Sequence, residues 1–250
     1  MAPVTMREAV ARVLRSLSSA RVRPYVVTAV NAHFVVTAQR EWRLQQFLNA
    51  ADLCVADGVS LIISSRLLGA RLPERITGVD LMVHLCEKAA QWRKSVYLLG
   101  GRDGAAEKAA IVLQNMFPEL RIVGADRPPM GRESDPVEVQ ALRGRIKAAS
   151  PDFLFVCFGV PLQEYWIEMF TTDLPVGVVM GNGAALDVIA GHFSRPPKWM
   201  QDLCLEWLFR LSVEPKRLWR RYILGNSRFI YLILKQVVKD VNLPLRVRRP

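Results

Sequence analysis

Residues 153–170 read FLFVCFGVPLQEYWIEMF, and this stretch decides the fold class. Its first six residues, Phe153–Phe158, form a short apolar run, which is typical of a strand buried on both faces of a parallel sheet. Gly159 ends the run, and Leu162–Phe170 follows with the apolar spacing of a helix. A strand, a glycine turn and a helix in direct succession indicate a unit of the βαβ type.

The same alternation recurs along the first 195 residues. Further strands are predicted at Tyr25–Val30, Leu53–Val55, Val96–Leu99, Ile122–Gly124 and Val176–Val179, and further helices at Phe34–Leu48, Val79–Trp92, Gly104–Phe117 and Val137–Ala149. This order predicts an α/β fold with a Rossmann-like, mostly parallel sheet and helices on both faces. Ligands of such sheets bind beyond the carboxyl ends of the strands, so the loops there form the candidate site.

The positive charge is concentrated in the C-terminal part of the chain. From Arg195 onward there are 13 Lys and Arg against four acids, which accounts for +9 of the formal net charge of +11. We therefore divide the chain into an α/β core over residues 1–195 and a helical, basic appendage over residues 196–250. Arginines interspersed with Trp and Leu, as in EWLFRLSVEPKRLWRR at 206–221, predict an anionic membrane surface or a phosphate-bearing ligand as partner.

Two breaks are predicted in the appendage. Pro215 splits residues 206–224 into two helices, because proline suits only the first helical turn, and Gly225-Asn226 is a predicted turn. Beyond it the basic residues lie within about 40° on a helical wheel and apolar residues cover the opposite side. The basic set is Arg228, Lys235 and Lys239, and the apolar set is Phe229, Ile230, Ile233, Val237 and Val241. This pattern fits an interfacial membrane helix or a helix docked on its own core with a solvated basic face.

Several classes of protein are disfavoured by the composition. Residues 1–17 contain three arginines and one glutamate, which is atypical of a signal peptide. No window reaches the roughly 18 uncharged apolar residues of a membrane-spanning helix. The cysteines at 54, 86, 157 and 204 form no Cys-x-x-Cys pair, so buried, reduced thiols of a cytoplasmic protein are expected. The histidines at 33, 84 and 192 are isolated and are interpreted as structural.

Seven sequence motifs together carry a resemblance to a known family. In chain order they are ADG at 56–58, RITGVD at 75–80, LLGG at 98–101, FGVPLQExW at 158–166, GNGAALDxxAG at 181–191, RPP at 195–197, and EWLFR at 206–210 with EPxR at 214–217. With these motifs in this order, the chain resembles the WecG/TagA/CpsF family of bacterial glycosyltransferases. The resemblance spans residues 25–225.

The resemblance implies an inverting, cofactor-free glycosyltransferase of cell-surface polysaccharide synthesis. Such an enzyme moves a sugar from a UDP-sugar onto a polyprenyl-diphosphate-linked saccharide. It implies a peripheral protein on the cytoplasmic, inner face of the cell membrane, whose C-terminal appendage reaches the lipid. A homo-oligomer is compatible with the sequence and is not required by it. The chain departs from the family at Ala29, where a threonine is common, and at Asn182 and Leu186, which bears on the donor sugar more than on the reaction class.

Asp57 is the candidate general base. Displacement at an anomeric carbon needs a base that accepts the proton of the attacking hydroxyl. Asp57 ends an apolar strand, and Gly58 lets the backbone turn away from its carboxylate, where partial desolvation would raise the pKa. The alternative is an N-cap for a helix that starts near Ser60. The resemblance favours the base.

Gln163 and Glu164 follow the Gly-Val-Pro turn at the start of a helix. Gln163 is placed with Asp57 in the catalytic set, because its amide can hydrogen-bond a sugar hydroxyl or a phosphate at a helix N-terminus. Glu164 is either a further ligand contact or a first-turn acid that complements the helix dipole.

Three further side chains are expected to bind substrate near the same edge. Asn31 ends the first strand and is assigned to the acceptor sugar, with a turn residue as its alternative role. Thr28, on the same strand, is assigned to substrate binding. Arg75 either contacts a ligand or forms a structural ion pair with Asp80.

Glycine loops are the candidates for the nucleotide and diphosphate, since glycine allows close approach of the backbone. They contain Gly100 and Gly101, Gly159, and Gly181 with Gly183. Asp187, which follows the last loop, is assigned to the ribose or base, and the alternative is packing of its helix on a strand.

Four arginines of the appendage are candidates for the diphosphate, because a guanidinium matches phosphate geometry in a bidentate manner. They are Arg210, Arg217, Arg220 and Arg221. One or two are expected to bind the leaving group and the rest anionic lipid. The sequence has no carboxylate cluster or Asp-x-Asp motif, so a metal-independent reaction is expected in which cationic side chains replace Mg²⁺.

Two other functions stay open. A nucleic-acid-binding protein could use the basic tail, but no DNA- or RNA-binding module is recognised and the arginines lie among apolar residues. A nicotinamide-dependent dehydrogenase would need a fingerprint that GGRDG at 100–104 does not match. The expected partners are therefore a UDP-sugar, a lipid-linked acceptor and a membrane surface, and no nucleic acid.

Overall fold

The computed structural model describes residues 1–19, 21–128, 131–193, 197, 200, 205–213 and 215–241. Within them six strands form one sheet: β1 Tyr25–Val30, β2 Leu53–Ala56, β3 Ser95–Gly100, β4 Arg121–Asp126, β5 Phe153–Cys157 and β6 Val178–Gly181. The strand order is β2-β1-β6-β5-β3-β4, and every neighbouring pair is parallel. The predicted α/β fold is confirmed.

Helices surround the sheet on both faces. In the described residues they are α1 Met6–Leu17, α2 Ala32–Ala38, α3 Trp42–Ala50, α4 Val59–Leu67, α5 Gly78–Gln91, α6 Ala105–Met116, α7 Pro136–Ala149, α8 Leu162–Phe170, α9 Ala185–Ile189, α10 Glu206–Val213 and α11 Pro215–Val241. None of the helices in these ranges combines the length and the apolarity needed to cross a bilayer.

Alternating residues of each strand separate two layers of core. On β5, Phe153 and Phe155 point into the layer formed with α1, α5, α6 and α9, while Leu154 and Val156 point into the layer formed with α3, α7 and α8. Because successive side chains of a strand point to opposite faces, burial on both faces requires a continuous apolar run. That requirement explains why the strands were visible in the sequence.

Two helix predictions are wrong. The single helix predicted at Phe34–Leu48 is two helices, α2 and α3, because the chain must turn back before it starts β2 beside β1. The turn predicted at Gly225-Asn226 is absent, because α11 continues through both residues. Glycine in a helix costs about 1 kcal/mol relative to alanine. Burial of Phe229 one turn later outweighs this cost.

Helix α11 docks on the core and leaves its outer side exposed. Phe229 is 4% exposed and packs in a cluster with Phe34 of α2 and Leu61 of α4, with Ile233 partly buried beside it. Ile230, at 57% exposure, lies outside this contact. The predicted apolar face therefore divides into a docked part, with Phe229 and Ile233, and a solvent-facing part with Ile230. The side chain of Val241 lies outside the described part of the chain. The predicted core boundary at 195 falls among residues outside the description.

Truncation of Phe229 should loosen α11 from the core. A Phe229→Ala variant is expected to lose about 3 kcal/mol of unfolding free energy, because a buried aromatic side chain is removed. Ile230→Ala is the matched control, since the neighbouring side chain is exposed. Denaturant titration followed by limited proteolysis of α11 measures both. Equal losses in the two variants would contradict the docking.

Candidate active site

The carboxyl ends of β1 and β6 lie side by side at the point where the strand order reverses. The chain leaves β1 toward α2 on one face of the sheet and leaves β6 toward α9 on the other. Such a switch point opens a crevice between the two connections, and ligands of open parallel sheets bind there.

Asp57 and Asn31 are neighbours at this crevice. The backbone N–H of Asp57 donates to the carbonyl of Val30 at 2.8 Å, and a Cβ on Gly58 would lie 3.5 Å from Cβ of Asn31. Asp57 is partly exposed, and the N-cap of α4 is Gly58. Asp57 thus lies one residue before the N-cap position, and the prediction that it is the general base stays a prediction.

The segment that contains Arg75 joins the same group. The N–H of Ile76 donates to the carbonyl of Ala56 at 2.8 Å, which brings Arg75 to the end of β2. Asp80 accepts a 2.6 Å hydrogen bond from the Thr77 hydroxyl, and this hydroxyl caps α5 by accepting from the Asp80 N–H. Asp80 thus takes part in the helix cap, and an ion pair with Arg75 stays a prediction.

Asn31 and Thr28 have different surroundings. The Asn31 side chain is the N-cap of α2, where its Oδ1 accepts from the N–H groups of His33 and Phe34 at 3.0 and 3.4 Å. Thr28 is fully buried inside β1, on the face that β1 shares with Gly181 of β6. The structure therefore brings Asn31, but not Thr28, beside Asp57.

Gln163 connects two loops at the centre of the edge. It is 1% exposed, and its Oε1 accepts from the N–H of Gly183 at 2.8 Å and from that of Gly159 at 3.2 Å. Its Nε2 donates to Oε1 of Glu164 at 2.6 Å. The amide oxygen is thus occupied by protein donors, and ligand contact through the remaining amide hydrogen stays a prediction.

Glu164 is a buried carboxyl in the first turn of α8. It is 0% exposed, and its Oε2 has no hydrogen-bond partner among the described residues. Burial raises the pKa of Glu164 to about 8, while the hydrogen bonds from Gln163 and from its own backbone N–H oppose the rise. A group that is neutral at pH 7 does not complement the helix dipole as a charge, so this alternative role is not supported.

The glycine loops differ in the space that is open beside each glycine Cα. Gly100, with φ of 105°, has no room for a Cβ, which would lie 2.6 Å from the carbonyl oxygen of Cys157. Gly101 follows with φ of 79° and donates its N–H to the same carbonyl. Gly159 and Gly183 also have positive φ but have open space beside the Cα. These last two loops leave room for a ligand against the backbone.

Asp187 binds the backbone of the β3–α6 loop through a hydrogen bond. Its Oδ1 accepts from the backbone N–H of Arg102 at 2.9 Å, and Nδ1 of His192 lies 3.7 Å away. Nε2 of His192 is 3.3 Å from Nζ of Lys108, and the Arg102 guanidinium lies 4.4 Å from the ring centroid of Phe193. The arrangement gives Asp187 a structural role, and contact with the ribose or base stays a prediction. Arg102 and Lys108 were not singled out from the sequence, where nothing distinguishes them from surface cations.

Some predicted residues cannot be placed. The side chains of Arg210, Arg217, Arg220 and Arg221 and the RPP motif from Arg195 lie outside the described part of the structure. Among the residues that are described, no group of three or more His, Cys, Asp or Glu is arranged to hold a metal ion. The metal-independent reaction stays a prediction. Cys86 and Cys157 are buried free thiols, as predicted, and Cys54 is partly exposed.

Replacement of Glu164 by glutamine should stabilise the protein in a pH-dependent way. Between pH 4.5 and about pH 8 the folded chain keeps the Glu164 proton and the unfolded chain does not, so this group makes wild-type stability fall as pH rises. Glu164→Gln removes the titration, and its stability relative to wild type should increase across the window. Denaturant titrations at several pH values measure this, with the exposed Glu168→Gln on the same helix as control. A difference that is constant with pH would contradict the buried, neutral carboxyl.

Comparison with known proteins adds to this geometry. Two relatives are each named N-acetylglucosaminyldiphosphoundecaprenol N-acetyl-beta-D-mannosaminyltransferase. The protein from Bacillus spizizenii is 32% identical over 211 residues, and the one from Bacillus subtilis is 29% identical over 211 residues. In each case the match covers 84% of this chain and 79% of the relative.

The family model described as the glycosyl transferase WecG/TagA/CpsF family matches residues 1–242. The resemblance found in the separate motifs thus extends over nearly the whole chain, including the core, the crevice and helix α11. The protein is a glycosyltransferase that belongs to the WecG/TagA/CpsF family.

Proposed function

We propose that this protein transfers a sugar from a UDP-sugar onto a polyprenyl-diphosphate-linked saccharide, with inversion at the anomeric carbon. The observation that carries the proposal is the convergence of Asp57, Asn31 and the Arg75 segment at the switch point of a chain in this family. The names of the two relatives support a diphosphate-linked N-acetylglucosamine as acceptor and N-acetylmannosamine as the first donor sugar to test.

In the proposed reaction Asp57 accepts the proton of the attacking acceptor hydroxyl. The hydroxyl oxygen forms a bond to the anomeric carbon as the bond from that carbon to the diphosphate oxygen breaks. Asn31 and the segment that contains Arg75 lie near Asp57, and we assign both side chains to the acceptor sugar. Attack from the side opposite the leaving group gives the inverted product.

The nucleotide is assigned to the glycine loops nearer the middle of the sheet. Four strand spacings, about 19 Å, separate β3 from β2, which Asp57 follows directly. We therefore place an extended nucleotide sugar along the edge, from the Gly101 loop toward Asp57. Helix α6 starts directly after that loop, and its N-terminal N–H groups favour a phosphate. One or two of the four arginines of the appendage are assigned to the departing diphosphate, and the rest to anionic lipid.

Release of UDP tests the reaction. Incubation with a panel of UDP-sugars and a polyprenyl-diphosphate-linked N-acetylglucosamine should give acceptor-dependent UDP release, unaffected by EDTA. Asp57→Asn is expected to lower kcat by about 10²- to 10⁴-fold, because the base is lost. Asp173→Asn serves as control, since this carboxylate is exposed and pairs with Arg143 on α7.

The outcomes separate the claims. Release that survives Asp57→Asn would keep the reaction and contradict the assigned base. Release that EDTA abolishes would contradict the metal-independent reaction. Absence of acceptor-dependent release from every UDP-sugar would contradict the proposed donor class.

We further propose that α11 holds the protein on an anionic membrane surface. The outer side of this helix exposes apolar residues, and the basic residues Arg228, Lys235 and Lys239 lie exposed beside them. The exposed apolar residues are Ile223, Ile230, Leu234 and Val238. An apolar face flanked by cations fits the headgroup region of a bilayer.

Vesicle sedimentation tests this surface. The protein should bind vesicles that contain phosphatidylserine more than neutral vesicles, and salt should weaken the binding. The double variant Ile230→Asp/Leu234→Asp should lose most binding, while Ile111→Asp, an exposed apolar position on α6, should keep it. Equal loss in both variants would contradict the assigned face, and retention on DNA without vesicle binding would favour the nucleic-acid alternative.

A further inference from the structure

We infer that Glu164 is a positioning residue of the active site, which acts as a neutral carboxylic acid on Gln163. The effect of Glu164 on the reaction rests on the proposed function. Its effect on the two loops rests only on the contacts described below. Nothing in the sequence motif distinguishes Glu164 from an ordinary acid in a first helical turn.

The first step is that Glu164 sets the orientation of the Gln163 amide. A glutamine amide can be placed with its oxygen and nitrogen in either order, and only one order presents Oε1 to two backbone donors. The acceptor at Oε1 of Glu164, 2.6 Å from Nε2, selects that order. Oε1 of Gln163 then holds Gly159 and Gly183, so the β5–α8 and β6–α9 loops are fixed relative to each other.

The second step is that the pair is seated on a strand that has no side chain at that point. A Cβ on Gly181 would lie 3.0 Å from Nε2 of Gln163 and 3.2 Å from Oε1 of Glu164. Thr28 of β1 is the register partner of Gly181, so its hydroxyl lies on the same face of the sheet as the carboxyl. This hydroxyl and Oε2 of Glu164 are both buried and have no partner among the described residues.

The third step concerns the charge of Glu164. Burial raises the pKa of Glu164, and the hydrogen bonds from Gln163 and from its own backbone N–H oppose the rise; no cation is among these causes. Tyr165 is the titratable neighbour, where burial raises the pKa of the phenol and a charge on Glu164 adds to the rise. The charged groups of the elements packed nearby are engaged elsewhere. On α8 and α3, Arg43 pairs with Glu168 and stacks on Tyr165, and Tyr165 donates to Glu41. A buried carboxylate without a cation is costly, so the neutral acid is the form that fits.

A neutral carboxylic acid and a glutamine amide have nearly the same shape, and each offers a carbonyl oxygen that can accept from Nε2 of Gln163. Glu164→Gln should therefore retain kcat within about twofold and preserve the acceptor for Nε2 of Gln163. Glu164→Ala removes the acceptor and should lower kcat by about tenfold or more, with a smaller change in KM, since misplaced loops impair the reacting geometry.

Amide hydrogen exchange tests the positioning without any reaction. Loss of one hydrogen bond corresponds to about fivefold faster exchange. The N–H groups of Gly159 and Gly183 should show this acceleration in Glu164→Ala, and not in Glu164→Gln or the exposed control Glu168→Gln. If the alanine variant does not fold, Glu164→Leu, which also lacks the acceptor for Nε2 of Gln163 but fills more of the volume, takes its place in the same comparison.

The inference would be overturned if both amides exchanged alike in wild type and Glu164→Ala, or if Glu164→Gln were as impaired as Glu164→Ala. Wild-type protein without transferase activity, but with the expected exchange pattern, would contradict the proposed function and leave the positioning of the loops intact.

Discussion

The bond between the Gln163 amide and the Glu164 carboxyl is the interaction on which the central part of the site depends. Gln163 ties two loops that leave neighbouring strands, and it can do so only with its oxygen turned toward them. The pair occupies the space that a side chain on Gly181 would fill. Because the pair is almost fully buried, Oε1 of Gln163 and Oε1 of Glu164 find their hydrogen-bond partners within the protein. Rigid loops at this point give the substrates a fixed frame.

The position of helix α11 depends on a balance between the cost of a glycine inside the helix and the burial of Phe229. Helix α11 tolerates a glycine in its interior because Phe229 is buried against α2 and α4. Its other side keeps apolar residues in solvent, which a helix that only served its own core would not need. In the proposed function, this one helix joins the core to the membrane surface that carries the lipid-linked acceptor. Docking and membrane contact are therefore compatible roles of the same element.

The sequence predicted the fold well because burial on both faces demands long apolar runs. All six strands were predicted to within two residues, and the shift of β6 from Val176–Val179 to Val178–Gly181 reflects pairing of Gly181 with both β1 and β5. The neighbourhood of Asp57 and Asn31 also followed from the motifs, since adjacent parallel strands end at one edge. The cap that Asn31 forms on α2 is local and lay within reach of sequence rules.

Other features depend on contacts between distant residues. The burial of Glu164 requires that Gly181, on another strand, has no side chain, and no local pattern reveals this. The structural role of Asp187 depends on its hydrogen bond with the backbone N–H of Arg102, which is distant in sequence. The continuation of α11 through Gly225-Asn226 depends on what Phe229 contacts, which outweighs the local preference for a turn.

The most direct test of the proposed donor site is to locate UDP on the 250-residue chain by the change in backbone amide NMR signals. We expect UDP to shift the amide signals of residues 100–104 and of Gly159 and Gly183. The same signals should stay unchanged in buffer without nucleotide, and with uridine, which lacks the diphosphate, at equal concentration. Shifts confined to α11, or no shift at the carboxyl edge of the sheet, would contradict the assignment of this edge as the donor site.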